Sequence, residues 1–243
     1  MNSPYESLVA AHGLSAAHRL MLDAVDPGSR VLDVGCCTGY LGSVLAATGC
    51  RVVGVETDLQ AGSRARARDV FVAVIAGSVD DDDVRARAAE HGPYDVIVFG
   101  DVLEHLPRPE ATLRALAAQL ADDGRVVVSL PNVAHWSARW TLLRGRFPRE
   151  EHGLFDATHL RWFTRADAHE LLWAAGLRVT GETFPPAPLP LQERIASLRH
   201  LERAAVRARP ELFALQILLT GTRRSRDVDR GRRGPGQPRN EAP

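Results

Sequence analysis

Between residues 30 and 130 short valine-rich runs alternate with longer stretches of helical character. Strands that are apolar on both faces and joined by helical crossovers build a parallel sheet covered on both sides. The runs predict strands at 30–34, 51–56, 70–76, 94–99 and 125–130, with helices over 40–48, 59–68, 82–91 and 110–121 between them. An amphipathic helix over 15–25 is placed to cover one sheet edge. Beyond the fifth strand, Thr164 is a natural N-cap for a helix over 165–175 that Gly176 stops. A sixth strand at 177–183, a helix over 192–208 and a seventh strand at 212–220 complete an α/β sheet with helices on both faces. Residues 1–29 read as an N-terminal helical cap, 30–221 as the main domain, and 131–164 as a lid after strand five. An irregular segment that long inside a compact domain is usually functional.

All thirty basic residues are arginine, so lysine Schiff bases and phosphate loops built on lysine are excluded. Thirty acidic residues balance them. From Thr222 onward seven arginines and three acids surround Pro235, Gly236 and Pro238 without an apolar period, which predicts a disordered arginine-rich tail over 222–243. Without that tail the remainder is mildly acidic, which argues against a nucleic-acid or anionic-membrane partner. Cys36, Cys37 and Cys50 are too few and too close for a disulfide framework, and the first residues lack a basic head followed by an apolar run. No apolar run is long enough to cross a bilayer, so the expected location is the cytoplasm.

The segment Val31-Leu32-Asp33-Val34-Gly35-Cys36-Cys37-Thr38-Gly39 reads as strand, tight turn and helix start. Glycines there let a ligand approach the backbone, and the helix N-terminus offers unpaired N–H groups. Glu56 ends the second strand 21 positions after Gly35, where such sheets hold the two hydroxyls of a ribose. Dinucleotides, flavins and S-adenosylmethionine share this geometry. The glycines fall at 35, 39 and 42 after Asp33 and do not form G-x-G-x-x-G, and an acid at the turn suits an α-ammonium and a sulfonium better than a pyrophosphate. The charge argument selects S-adenosylmethionine.

The runs VLDVGCCTGYLG, GVETD, YDVIVFGDVLEHLPRP and GRVVVSLPNVAHW, in that order, resemble the class I S-adenosylmethionine-dependent methyltransferases over roughly residues 14 to 183. The resemblance implies a Rossmann-like seven-stranded methyltransferase sheet whose last strand is antiparallel. It places the transferable methyl above the carboxyl ends of strands one and four. By position it implies that Asp33, Gly35, Cys36, Gly39 and Tyr40 line the methionine part, Glu56 with Thr57 the ribose, and Ser78 with Val79 the adenine edge. Asp101 and Val102, after strand four, would border the methyl and amino group. Cys37 stands where the family usually has glycine; a positive φ there would cost about 1 kcal/mol or more.

A hydroxyl acceptor must lose a proton, and histidine is the commonest agent, with a carboxylate second. His159 is the first choice, with Asp156 to orient its ring, followed by His135 and by His105, which adjoins Glu104. The run PNVAHWSARWTLLRGRF with GLFDATHLRWFT resembles methyltransferases found beside glycan and secondary-metabolite enzymes. That resemblance points to a sugar or natural-product hydroxyl, with Arg161, Arg144 and Trp136 as acceptor contacts. Trp136, Trp140, Trp162 and Phe163 otherwise serve to pack the lid onto the sheet. His135, His152 and His159 lack a helical H-x-x-x-H pair or an acid cluster, and no metal is assigned. An N- or C-methyltransferase and a ligand-binding accessory protein are the alternatives, and the oligomeric state is open between monomer and homodimer.

Overall fold

The computed structural model describes residues 14–185 and 204–224. The elements in chain order are α1 (Ala16–Asp23), β1 (Arg30–Val34), α2 (Tyr40–Ala47), β2 (Arg51–Glu56), α3 (Leu59–Ala67), β3 (Ala73–Ala76), α4 (Asp82–Ala89) and β4 (Tyr94–Gly100). A 3-10 turn (Leu103–His105), α5 (Pro109–Ala117), β5 (Leu120–Pro131), α6 (Trp136–Leu143), α7 (Arg165–Ala174), β6 (Leu177–Thr183) and β7 (Gln216–Arg223) follow. The seven strands form one sheet in the order β3-β2-β1-β4-β5-β7-β6, parallel except that β7 runs antiparallel to both neighbours. This is the Rossmann-like arrangement expected. The chain order reverses between β1 and β4, and their carboxyl ends open a crevice there, where such sheets bind ligands.

Burial explains the sequence pattern. On one face Leu32, Val53, Ile97, Val126 and Leu219 pack under α4, α5 and α7; on the other Val31, Val52, Val96, Val98 and Val127 pack under α1 and α2. Alternate residues of each central strand therefore go to opposite cores, and both positions must be apolar. Helix α1 covers the face of β4, β5 and β7 through the buried Met21, rather than a sheet edge. Residues 1–13 of the expected cap lie outside the described residues.

Other differences have local causes. Strand β3 starts only at Ala73, because Asp69 takes a left-handed φ of 52° and Phe71 turns aside to pack beneath Gly39 and Gly42. Strand β5 starts at Leu120, ten residues or so before the expected core run ends, and α5 is shorter to match. Gly124 permits this: a Cβ there would stand 2.8 Å from Tyr94 O, so only glycine fits the irregular pairing with β4. Pro210 at the first helical position opens a helical turn over Pro210–Phe213, displacing β7 to Gln216–Arg223. Thr222 and Arg223, expected in the tail, are thus paired with Arg125 and Leu177. The rest of the expected tail from 225, and residues 192–203 of the helix expected over 192–208, lie outside the described residues, while 204–208 are helical. Within the lid, α6 was not foreseen.

Candidate active site

The turn after β1 holds three left-handed residues in alternation: Gly35 (φ 72°), Cys37 (φ 50°) and Gly39 (φ 80°). Gly35 N and Cys36 N both donate to Val55 O, at 2.8 and 3.1 Å, which folds the turn against β2. A Cβ at Gly35 would come within 2.6 Å of Val102 Cγ2, so the two residues forecast to flank the same ligand meet each other. Cys37 does adopt the costly conformation. Its N–H donates to Glu56 Oε2 at 2.7 Å, while Glu56 Oε1 accepts from Asp58 N at 2.8 Å. The carboxylate at the end of β2 therefore ties the turn to the start of α3, and charge-assisted bonds of this kind contribute more than neutral ones. Gly35→Ala, which combines the left-handed backbone with the clash, should weaken affinity for S-adenosylmethionine by at least about ten-fold in calorimetry. Unchanged affinity would contradict that role.

Asp33 is 3 % exposed and its Oδ2 has no hydrogen-bond partner among the described residues. Burial, and next the charge of Glu56, push its carboxyl up to about 7. It borders a small cleft with Gly35, Cys36, Tyr40, His18 and Gly100. Sequence reasoning missed His18, which α1 brings here and whose Nε2 lies 2.8 Å from the Tyr40 hydroxyl. Burial lowers the pKa of His18 below the ordinary histidine value. The Cys36 thiol is likewise driven well above its usual range by burial, then by Asp33, and is no nucleophile. Asp101 has a left-handed φ of 55°, and its carboxylate accepts from Ser129 Oγ at 2.9 Å and from Gln216 Nε2 at 2.9 and 2.8 Å. Strands β5 and β7 thus fix the acid at the tip of β4.

Around the adenine end, Ser78 Oγ accepts from Asp80 N at 3.3 Å, and the Val79 side chain is buried in the core with its carbonyl accepting from Arg85. That leaves backbone, not side chain, as what Val79 can offer a ligand. Thr57 is exposed beside Glu56.

A second constellation lies just past β4. Glu104 is 1 % exposed, with Oε1 3.9 Å from His159 Nε2, and His159 is 8 % exposed; among the described residues Glu104 Oε2 and His159 Nδ1 have no hydrogen-bond partner. The rings of His105 and His159 meet edge to face at 4.8 Å. Burial, and next Asp101, hold the Glu104 carboxyl well above the usual range, while burial, and next His105, lower His159. The charge of Asp101 reaches both, which puts this group beside the tip of β4.

Asp156 does not orient His159 as expected. Its Oδ1 accepts from Thr158 N and Thr158 Oγ1, at 2.8 and 2.6 Å, because an aspartate captures the backbone two residues on more readily than a distant ring. Glu104 is the acid that faces the ring, with Oε1 3.9 Å from His159 Nε2 and outside hydrogen-bond reach. His135 caps α6, with Nδ1 accepting from Ser137 N at 3.3 Å, so half of its ring is spent on structure. Arg161 Nη2 donates to Pro107 O at 2.7 Å, and the Arg144 guanidinium stacks 4.5 Å from the centre of Trp140. Of the aromatics in the expected lid Phe155 and Phe163 are buried; Trp136, Trp140 and Trp162 are exposed by 40, 50 and 36 %, so of the four aromatics expected to pack the lid only Phe163 does so.

A buried acid at the end of β1, a left-handed glycine turn folded against β2 and an acid closing β2 fit the ligand whose charges selected it above. Residues 9–182 match the family described as Methyltransferase domain. The chain belongs to that family, within the class I S-adenosylmethionine-dependent methyltransferases. It is 33 % identical over 105 residues to a ubiquinone biosynthesis O-methyltransferase of Ralstonia nicotianae, covering 42 % of this chain and 43 % of that protein. The same-named protein of Aromatoleum aromaticum is 34 % identical over 121 residues, 46 % of this chain and 50 % of the relative. The chain thus matches half or less of the length of these curated relatives. In fold it is similar to an Archaeoglobus fulgidus S-adenosylmethionine-dependent methyltransferase, at TM-score 0.60 and 18 % identity, covering 90 % of this chain and 99 % of that one. It is also similar to magnesium protoporphyrin IX methyltransferase of Synechocystis PCC 6803 solved with S-adenosylhomocysteine, at TM-score 0.56 and 19 % identity, covering 90 % and 84 %.

Proposed function

We propose that this protein transfers the methyl group of S-adenosylmethionine to a hydroxyl oxygen of a small molecule, a sugar or a natural-product scaffold. The observation that carries the reading is the group of buried Glu104 and His159 with half-buried His105 beside Asp101, where a His159 nitrogen has no partner among the described residues. A hydroxyl must give up its proton to become a good nucleophile, whereas a neutral amine need not. The O-methyltransferase relatives support oxygen as the acceptor atom. Bound at the turn, S-adenosylmethionine supplies a methyl carbon made electrophilic by the adjacent sulfonium.

The rest falls to the chain itself. Asp33, Gly35 and Glu56 hold the donor, and Asp101, fixed by Ser129 and Gln216, sets one wall of the crevice at β4. His159 faces the acceptor's hydroxyl, and alignment of the reacting atoms near about 3 Å supplies much of the rate. Exposed Trp136 on α6, Arg144 just past its C-terminal end and Arg161 offer stacking and charged contacts to an oxygen-rich acceptor. No helix among the described residues is long and apolar enough to cross a membrane.

The test is methyl transfer across a panel of sugars, phenols and amines, read by release of S-adenosylhomocysteine. His159→Ala should lower turnover on a hydroxyl acceptor by about a hundred-fold or more. Full rate in that variant would favour an amine or carbon acceptor, and donor binding without turnover on any acceptor would favour an accessory role.

A further inference from the structure

We propose that Glu104, His105 and His159 form a site for one divalent transition-metal ion, and that this ion is how the group acts on the acceptor's hydroxyl. One donor atom from each of the three side chains lies within 4.8 Å of the other two. Bonds of about 2.0–2.2 Å to such an ion put donor atoms about 3.3 Å apart, so closure asks only for ring rotation. The half-buried His105 has room for it.

Three further features point to a ligand and not to a packed core. Glu104 Oε2 and His159 Nδ1 are buried without partners among the described residues, which is costly in an apolar setting unless something compensates them. His105 Nδ1 lies 3.3 Å from Thr158 O and 3.1 Å from Thr158 Oγ1, the outer support that fixes the tautomer and aims the opposite nitrogen inward when histidine binds metal. That support continues, since Thr158 Oγ1 donates to Asp156 at 2.6 Å. Leu160 N and Arg161 N both donate to Glu104 O, at 2.9 and 3.1 Å, so the two chain segments that bring the donors together are already tied.

Two imidazoles and one carboxylate suit Zn2+, a borderline ion, and admit the harder Mn2+ through the carboxylate and added water, and three protein ligands leave positions open for an acceptor oxygen. An ion there would draw charge from the hydroxyl and ease loss of its proton to water before the oxygen attacks the methyl carbon and the S–C electron pair stays on sulfur. This inference rests on the function proposed above.

The experiment uses full-length protein stripped with EDTA. Mn2+ binding is followed by electron paramagnetic resonance, and Zn2+ retention by elemental mass spectrometry after gel filtration. The expected result is one ion per chain, with affinity at least ten-fold weaker in Glu104→Gln and in His105→Ala. His169→Ala, which removes the separate His169–Glu182 pair 2.9 Å across, should bind as the parent does. No retained ion in the unmodified protein, or retention unchanged in both cluster variants, overturns the site. Methyl transfer that EDTA does not slow, in protein that binds no ion, sinks this proposal and leaves the proposed function standing. Failure of the stripped protein to bind S-adenosylmethionine, with or without the ion, sinks the function itself.

Discussion

Asparagine in place of Asp33 should stabilise the ligand-free protein above neutral pH and at the same time weaken S-adenosylmethionine binding by ten-fold or more. The acid is buried, one oxygen is unpartnered, and burial with the nearby Glu56 raises its pKa from 3.8 to about 7. The folded state therefore keeps a proton that the unfolded chain gives up near pH 4. Unfolding free energy should fall as pH climbs between the two values and level off above about 7. A shift of that size corresponds to a penalty on the order of 4 kcal/mol once the group is fully ionised. Asparagine cannot ionise, so the difference between variant and parent in urea unfolding should widen from pH 5 to pH 8. Parallel curves would show that Asp33 ionises as easily in the fold as out of it. The functional loss follows from the same charge: a carboxylate that is costly alone becomes favourable opposite a cationic ligand. The turn is a place where stability has been given up for binding.

Removing the other acid should hurt both properties. Glu56→Ala takes away the acceptor for Cys37 N and for Asp58 N, each a charge-assisted hydrogen bond worth about 1.5–3 kcal/mol. Stability should drop by roughly 2–4 kcal/mol, less than the sum because loss of Glu56 also relieves Asp33. Donor affinity should fall by ten-fold or more. Glu56→Gln retains one acceptor oxygen and should recover part of the stability but little of the affinity. A variant at 56 with parental affinity in calorimetry would remove Glu56 from the ribose site.

What the sequence made legible was local. Strands β1 and β2 fall where their apolar runs do, because burial on both faces leaves a contiguous signature. The turn at 35–39 and Glu56 are legible for the same reason: both their conformation and their partners lie close along the chain or on the adjacent strand. The strain at Cys37 could be foreseen as a condition and is present. Thr164 and Asp167 close a reciprocal capping box, a four-residue signal.

Long-range meetings left no such signature. Nothing in the order of residues says that Gln216 reaches Asp101, that His18 reaches Tyr40, or that Glu104 faces His159 across the lid. Asp156 was the nearer acid in sequence, yet its short side chain is held by Thr158. The early start of β5 depends on a close backbone approach at Gly124 that an Asp-Gly pair, usually a turn signal, conceals. In the lid the aromatics suggested packing, but three tryptophans face solvent, and periodicity over eight residues was too short to reveal α6.

The most direct measurement is calorimetric titration of the purified, ligand-stripped protein with S-adenosylmethionine. A single site per chain, with a matching rise in melting temperature, is the result that a nucleoside cradle between the β1 turn and Glu56 predicts. Absence of both heat and thermal shift at millimolar ligand would contradict it.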